Sequence, residues 1–142
     1  KKYIKTYNVL IHTAAVSDFI PEKKLDTKLD SGKSFSLKLK PAPKIISQIK
    51  KWNPKIKLIG FKAVYKLSEK ELILTGIRKL KESKSDYIIV NDVGKEGVGF
   101  AVDTNEVNII SAKGLLAKID KAPKKEIPAQ SARLYARQIH LG

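Results

Sequence analysis

Short apolar runs and helix-like periods alternate along the chain. Residues 8–16 form a nearly continuous apolar run, which predicts a strand buried on both faces of a sheet. Similar runs at 57–64 and 86–91 predict two more strands, and the stretches 44–52 and 68–83 between them have the patterns of helices. Such an order of strands and helices is typical of an α/β fold with a mostly parallel sheet and helices on its faces.

Local signals mark the ends of the two helices. Pro43 suits the first turn of a helix, where its missing N–H would have no partner in any case. Ser68 and Glu71 have the spacing of a capping box, in which a hydroxyl and a carboxylate satisfy free N–H groups at a helix start. The second helix is therefore expected to start at Ser68 and to run to about Ser83.

The remaining segments are more polar. Residues 34–40 alternate at period two, which predicts a strand with one solvated face, at an edge or in a hairpin. Together with the Lys-rich stretch 21–33, this strand forms an inserted hairpin or flap that we expect to cover a site or to bind a neighbouring subunit. Residues 106–110 predict a short strand, a helix is expected from Lys113, and a last helix over 129–140.

The charge balance points to anionic partners. The 142 residues include 29 Lys and Arg against 14 Asp and Glu, a formal net charge of +15. A field of this sign attracts nucleic acid, phosphorylated small molecules or acidic membrane, and the sign alone does not choose among them. The absence of Cys excludes disulfides, a thiolate nucleophile and a Cys-based zinc site.

Targeting signals are absent from the sequence. No apolar run approaches the roughly 18 to 20 residues of a membrane span, and no signal peptide is recognised. These features fit a cytoplasmic protein. The sequence contains no Met and starts at Lys1, from which we expect a fragment or a processed product.

Candidate ligand contacts lie where the predicted strands end, because ligands of open α/β sheets bind beyond the carboxyl ends of the strands. Asp18 follows the first strand, Phe61 and Lys62 lie near the end of the second, and Asn91 with Asp92 ends the third. Asp18, Asn91 and Asp92 have a structural alternative, since Asp and Asn also form turns and cap helices.

Candidate anion contacts occur in three places. The inserted flap contains Lys23, Lys24, Lys28 and Lys33, and the last turns of the second helix contain Lys79, Lys81 and Lys84. The helix start at residues 43–46 offers free N–H groups to an anion. Each place has a structural alternative. The flap lysines would belong to a solvated loop, the lysines at the end of the second helix would interact with the helix dipole, and residues 43–46 would start an ordinary helix. Neither a Walker loop nor a GxGxxG or HExxH motif is present.

Seven fragments in this order resemble phosphopantothenoylcysteine synthetase, the ligase that joins cysteine to 4′-phosphopantothenate in coenzyme A synthesis. The resemblance covers residues 8–119. The fragments are AAVSDF (14–19), KLDSG (28–32), SFSLKLK with PAPKII (34–46), IGFKA (59–63), KLKESKSD (79–86), IIVNDV (88–93) and GFAVDTNEV (99–107).

The resemblance implies a reaction and a site. CTP would activate the substrate carboxylate as an acyl-cytidylate in the presence of Mg²⁺, and the amine of cysteine would then attack it. Lys28 would be the catalytic lysine of a mobile loop, and no protein metal site is expected. The implied nucleotide-binding residues are Ala14, Asp18, Pro43, Lys44, Ile45, Ile46, Phe61, Lys79 and Lys84, and the implied substrate-binding residues are Asn91 and Asp92.

Three departures from the family pattern are local. Lys28 lies in Lys-Leu-Asp-Ser where many members have Lys-Ile-Lys-Lys. Ser83 occupies the position of a second family lysine, with Lys84 as the nearest substitute. Lys44 stands where many members have Asp in Pro-Asp-Ile.

The resemblance also implies partners. Residues 1–122 would be the C-terminal part of a Rossmann-like synthetase domain, and 123–142 a C-terminal helix or tail whose origin the sequence leaves open. An upstream synthetase half and a flavin-dependent decarboxylase domain would complete the protein, and a homodimer would form through the hairpin at 24–40. Neither membrane nor nucleic acid is expected as a partner. Two alternatives remain: a basic α/β module that binds nucleic acid, and a fragment of the synthetase without catalysis.

Overall fold

A computed structural model describes residues 2–24, 26–32, 34–98 and 102–139. A 3₁₀ turn at Ile4–Thr6 precedes the regular elements. These are β1 (Val9–His12), β2 (Phe19–Pro21), β3 (Leu39–Pro41), α1 (Ile46–Trp52), β4 (Lys57–Val64), α2 (Glu69–Ser83), β5 (Tyr87–Asp92), β6 (Thr104–Ser111), β7 (Gly114–Pro123) and α3 (Ile127–Ile139).

The main sheet has five strands in the order β1–β4–β5–β6–β7. β1 pairs with β4 and β4 with β5 in parallel, whereas β6 is antiparallel to both of its neighbours. Four of the five strands therefore run in one direction, and β6 alone of this sheet is reversed. β2 and β3 form a separate antiparallel pair in the segment between β1 and α1. The predicted α/β class, the mostly parallel sheet and the inserted hairpin are confirmed.

Helices cover the two faces of this sheet. On one face, strand residues at alternate positions, Leu58 of β4, Ile88 and Val90 of β5 and Ile110 of β6, are buried under the helices. The helices contribute Ile46 and Ile49 of α1 and Leu72 and Leu80 of α2. Ile59, Ile89, Val107 and Ile109 point to the opposite face, where Ile127 of α3 joins them. Both faces therefore contribute apolar side chains, as expected for a parallel sheet packed between helices.

α2 shows how closely a helix packs on the sheet. Its start is the predicted capping box: the Glu71 N–H donates to Ser68 Oγ at 3.4 Å, and the Ser68 N–H donates to Glu71 Oε2 at 3.0 Å. Midway along the helix, Gly76 faces Ile110, and a Cβ at this position would lie 2.7 Å from Ile110 Cγ1. The absence of a side chain at Gly76 therefore sets the helix–sheet distance.

The strand predicted at residues 8–16 is shorter and more open than expected. β1 contains four residues, and the side chains of Val9 and Ile11 are 40% and 49% exposed. The prediction of burial on both faces is wrong because β1 is an edge strand, and α3 packs over β6 and β7. Of the strand predicted at 34–40, only the last two residues are in a strand, as the start of β3.

The prediction of a helix from Lys113 is wrong, because this segment forms β7. The chain turns at Ala112 and Lys113, and Gly114 adopts a positive φ of 111°, which a residue without a Cβ tolerates. Ser111 and Gly114 are then paired across the β6–β7 hairpin. The apolar residues from Leu115 to Ile119 fit a helix or a strand equally, and the pairing with β6 decides between them.

Candidate functional site

A pocket of about 360 Å³ lies at the carboxyl ends of β1 and β4. Three parts of the chain form it: the segment that leaves β1 (residues 12–18), the segment that enters α1 (residues 43–46), and single side chains from β4, β5 and α2. The single side chains are Phe61, Ala63, Asn91 and Lys79.

The sheet register explains why the side chains from β4 and β5 meet. Ala63 of β4 and Asn91 of β5 are paired neighbours in parallel strands, so both side chains lie on one face of the sheet. Phe61 lies two residues before Ala63 and therefore points the same way. The Ala42 N–H donates to the Asp18 carbonyl at 2.9 Å, which joins the segment leaving β1 to the segment entering α1.

Asp18 and Lys44 form an ion pair across the pocket. The Lys44 ammonium donates a hydrogen bond to the carboxylate, and this bond together with the Lys44 charge holds the pKa of Asp18 below its usual value. The charges of Lys79 and Lys62 lower the same pKa further. Asp18 is therefore an ionised acceptor in a positive environment.

Lys79 brings a second ammonium group to the pocket. Its Nζ lies 3.7 Å from Glu82 Oε2, one turn away on the exposed side of α2. Among the described residues of the lining, the charged groups are thus the Asp18 carboxylate and the ammonium groups of Lys44 and Lys79. With the aromatic ring of Phe61 and the amide of Asn91, this set suits a ligand that has an anionic group, a hydrogen-bond donor and a flat apolar part.

Most of the residues singled out in the sequence line this pocket. They are Ala14, Asp18, Pro43, Lys44, Ile45, Ile46, Phe61, Lys79 and Asn91. The lining also includes residues that the sequence analysis did not select: His12, Thr13, Ala15, Val16, Ser17 and Ala63. Residues 12–17 directly precede Asp18, and Ala63 follows Phe61 by two positions on the same strand. These sequence positions could have indicated that they line the same site.

Three predicted residues lie elsewhere. Lys28 belongs to the exposed segment between β2 and β3 and is outside the pocket lining. Lys84 caps the carboxyl end of α2 with a left-handed backbone, beside the start of β5, whereas Asn91 lies near the other end of that strand. The length of β5 therefore separates Lys84 from the pocket.

Asp92 is directed into the loop after β4. Its carboxylate accepts hydrogen bonds from the N–H groups of Lys66 (2.8 Å), Leu67 (3.2 Å) and Gly94 (2.9 Å). Burial raises the pKa of Asp92, but the three hydrogen bonds and the charge of Lys95 outweigh burial and leave it below its usual value. Asn91 and Asp92, adjacent in sequence, point to opposite faces of the sheet and have different surroundings.

An apolar groove lies on the sheet face beside the edge strand. It has a volume of about 140 Å³ and is lined mainly by Val9, Ile11, Ile59, Tyr87 and Ile89, with Leu116 and α3 on the far side. Its wall is almost free of polar atoms, so the groove suits apolar side chains and not a nucleotide.

Among the residues that the structure describes, no group of three His, Asp or Glu side chains is arranged to hold a metal ion. Within the same part of the chain, no helix has the length and apolar character needed to cross a membrane.

Known proteins match this fold and sequence. A family model described as "DNA/pantothenate metabolism flavoprotein C-terminal domain" matches residues 1–137. The coenzyme A biosynthesis bifunctional proteins CoaBC of Methanocaldococcus jannaschii and Thermococcus kodakarensis are 39% and 36% identical over 123 residues. Those residues are 87% of this chain and 29% of each relative, so the chain spans less than a third of their length.

A solved structure gives the same result. The DNA/pantothenate metabolism flavoprotein of Streptococcus pneumoniae superposes with a TM-score of 0.72 at 28% identity, over 99% of this chain and 66% of that chain. The resemblance deduced from seven short fragments is confirmed, whereas the predicted division at residue 122 stays a prediction. The chain belongs to the family of the DNA/pantothenate metabolism flavoprotein C-terminal domain.

Proposed function

We propose that this chain is the C-terminal part of a phosphopantothenoylcysteine synthetase that uses CTP. The observation that carries the proposal is the pocket at the ends of β1 and β4, which gathers Asp18, Lys44, Phe61, Lys79 and Asn91. Membership in the family and the names of the two relatives support coenzyme A biosynthesis as the process.

The proposed reaction has two steps. A carboxylate oxygen of 4′-phosphopantothenate attacks the α-phosphorus of CTP, forms an acyl-cytidylate and releases pyrophosphate. The amine of cysteine then attacks the acyl carbon, forms the amide, loses a proton and releases CMP. Both steps place negative charge on phosphate oxygens, which ammonium groups stabilise.

The residues have distinct roles in this proposal. Asp18 accepts a hydrogen bond from the ribose or from the base amine, and Phe61 forms a wall for the flat part of the nucleotide. Lys44 and Lys79 neutralise phosphate groups, and Asn91 hydrogen-bonds a substrate other than the nucleotide. Lys28 reaches the acyl-cytidylate from the exposed segment between β2 and β3, and its long side chain suits a mobile contact.

Mg²⁺ would accompany the triphosphate. Asp18 is the one carboxylate among the described residues of the lining and is paired with Lys44, so these protein donors do not fit a resident metal. An ion held by phosphate oxygens and water agrees with the usual behaviour of Mg²⁺ at nucleotide sites.

An upstream synthetase half would bind at the edge strand. β1 offers an unpaired edge in the described sheet, and Val9 and Ile11 are half exposed on the apolar groove. Parallel strands are normally covered on both faces, so an additional strand and helix from the upstream half would bury these side chains. The same segment would also close the side of the pocket next to β1.

A homodimer would form through the inserted hairpin. The segment exposes several large apolar side chains: Phe19, Leu29, Phe35, Leu37 and Leu39. Exposed apolar side chains that are close together in one segment are typical of an association surface.

The test is isothermal titration of the chain with CTP and with ATP in the presence of Mg²⁺, with and without the separately produced upstream half. We expect tighter binding of CTP than of ATP and loss of CTP binding in Asp18→Asn. Asp26→Asn, an exposed carboxylate outside the pocket, is the control for the loss of one negative charge. If neither nucleotide binds even with the upstream half present, the proposed function is wrong.

A further inference from the structure

The Asp18–Lys44 ion pair creates a competition within the pocket. In the proposed function Asp18 must accept a hydrogen bond from the nucleotide, yet its Oδ1 already accepts one from Lys44. The two side chains are 67% and 54% exposed, and ion pairs this open to solvent are weak. A ligand can therefore separate them at little cost.

Lys44 differs from the other cations near Asp18. Among the residues that the structure describes, Lys44 is the one whose ammonium is hydrogen-bonded to this carboxylate, whereas Lys79 and Lys62 act on it through charge alone. Lys79 also has Glu82 at 3.7 Å, so part of its charge is already balanced. Of these three lysines, Lys44 is thus the one positioned to pass between Asp18 and a bound anion.

A polyphosphate competes well for this lysine. It offers several negative charges to the ammonium, whereas Asp18 offers one, and Coulomb attraction grows with charge. A nucleoside without phosphate has no group to attract Lys44, so the ammonium stays on Asp18 and the nucleoside must compete with it for Oδ1. The same lysine therefore favours one class of ligand and disfavours the other.

We propose that Lys44 is a specificity-determining residue that exchanges Asp18 for the phosphates of a bound nucleotide, so that the pocket selects phosphorylated nucleotides over nucleosides. This inference rests on the proposed function and deepens it. The exchange frees Oδ1 of the Asp18 carboxylate for the ribose or base when phosphate is present. Phosphate binding and sugar or base recognition are thereby coupled.

The first experiment compares the affinities of CTP and cytidine for the full chain and for two variants. In Lys44→Ala we expect about tenfold weaker CTP binding from the lost charge-assisted contact. We also expect about two- to fivefold tighter cytidine binding, because a weak competing ion pair has been removed. Lys55→Ala removes an equal charge outside the pocket and should leave the ratio of the two affinities unchanged. Equal weakening of both ligands, or no change in either, contradicts the proposal.

The second experiment does not depend on CTP. The pKa of Asp18 is followed by carboxyl NMR with and without inorganic tripolyphosphate. We expect tripolyphosphate to raise the Asp18 pKa in the wild type, because Lys44 leaves the carboxylate, and to have a smaller effect in Lys44→Ala. An unchanged pKa in the wild type, or an equal rise in both proteins, overturns the exchange. If tripolyphosphate raises the Asp18 pKa more in the wild type than in Lys44→Ala, but the wild type binds CTP and ATP equally well, the exchange is retained and the CTP assignment is rejected.

Discussion

The backbone N–H of Lys66 donates a hydrogen bond to the Asp92 carboxylate, with 2.8 Å between N and Oδ1. Lys66 has a φ of 51°, a left-handed backbone that is uncommon for a residue with a Cβ. The Asp92 side chain, which is 4% exposed, also accepts hydrogen bonds from Leu67 and Gly94. One carboxylate thus stabilises the strained turn between β4 and α2 and joins it to the loop that follows β5.

Asp92→Asn is expected to reduce stability and leave nucleotide affinity unchanged. An amide has one acceptor oxygen, so one of the N–H groups would face an NH₂ group and lose its partner. We expect a loss of about 1–3 kcal/mol in the free energy of unfolding, measured by urea denaturation. Asp120→Asn, an exposed control, should change it by less than about 0.5 kcal/mol. Weaker CTP binding at unchanged stability would instead assign Asp92 to substrate contact.

Acid is expected to destabilise the fold through Asp86. Burial raises the pKa of this carboxyl, but hydrogen bonds from Lys50 (2.7 Å) and the Leu58 N–H (2.7 Å) and the charges of Lys50 and Lys57 leave it below its usual value. Because the pKa is lower in the folded protein than in the unfolded chain, the stabilisation is present above the unfolded value of about 3.9. It is lost as the pH falls through the folded value.

The check is urea denaturation of the wild type and Asp86→Asn between about pH 3 and pH 7. The variant should be less stable near neutrality by about 1–3 kcal/mol, because Lys50 loses its charged partner. Its stability should also fall less steeply in acid. Parallel curves for the two proteins would show that Asp86 does not contribute to the acid transition.

Gly76→Ala is expected to destabilise the protein although Ala favours helices. Alanine in a helix interior is better than glycine by about 1 kcal/mol. A Cβ at this position would lie 2.7 Å from Ile110 Cγ1 and 3.1 Å from Val90 Cγ2, so the helix must move away from the sheet. We expect a net loss of about 1–2 kcal/mol by thermal or urea unfolding. The loss should be smaller when Gly76→Ala is combined with Ile110→Ala. If Gly76→Ala is instead more stable than the wild type, this contact does not set the distance of α2 from the sheet.

Ile11→Glu separates the stability of the chain from its association with an upstream half. Ile11 is half exposed on the open groove, so the change should alter the free energy of unfolding by less than about 1 kcal/mol. It should nevertheless prevent binding of the upstream half, because a carboxylate would be buried without a partner in that complex. Analytical ultracentrifugation of the mixture measures the binding. Leu74→Glu, an exposed position on α2, is the matched control, and unimpaired binding by Ile11→Glu would place the upstream half elsewhere.

Local patterns in the sequence determined several elements directly. The bounds of β4 and the capping box of α2 agree with the prediction, because a short apolar run and a hydrogen bond between residues three apart depend on near neighbours. Asp18, Phe61 and Asn91 were also identified from the sequence as ends of strands. Parallel strands place their carboxyl ends at one edge, so the rule needs only the order of the elements.

Tertiary structure decided what depends on distant neighbours. The segment after Lys113 is a strand because β6 provides its pairing, although its apolar pattern fits a helix as well. Asn91 lines the pocket, whereas the Asp92 carboxylate is turned to the N–H groups of Lys66, Leu67 and Gly94, which only the folded chain brings to it. The ion pair between Asp18 and Lys44 joins residues 26 positions apart, and only the folded chain brings their charges together.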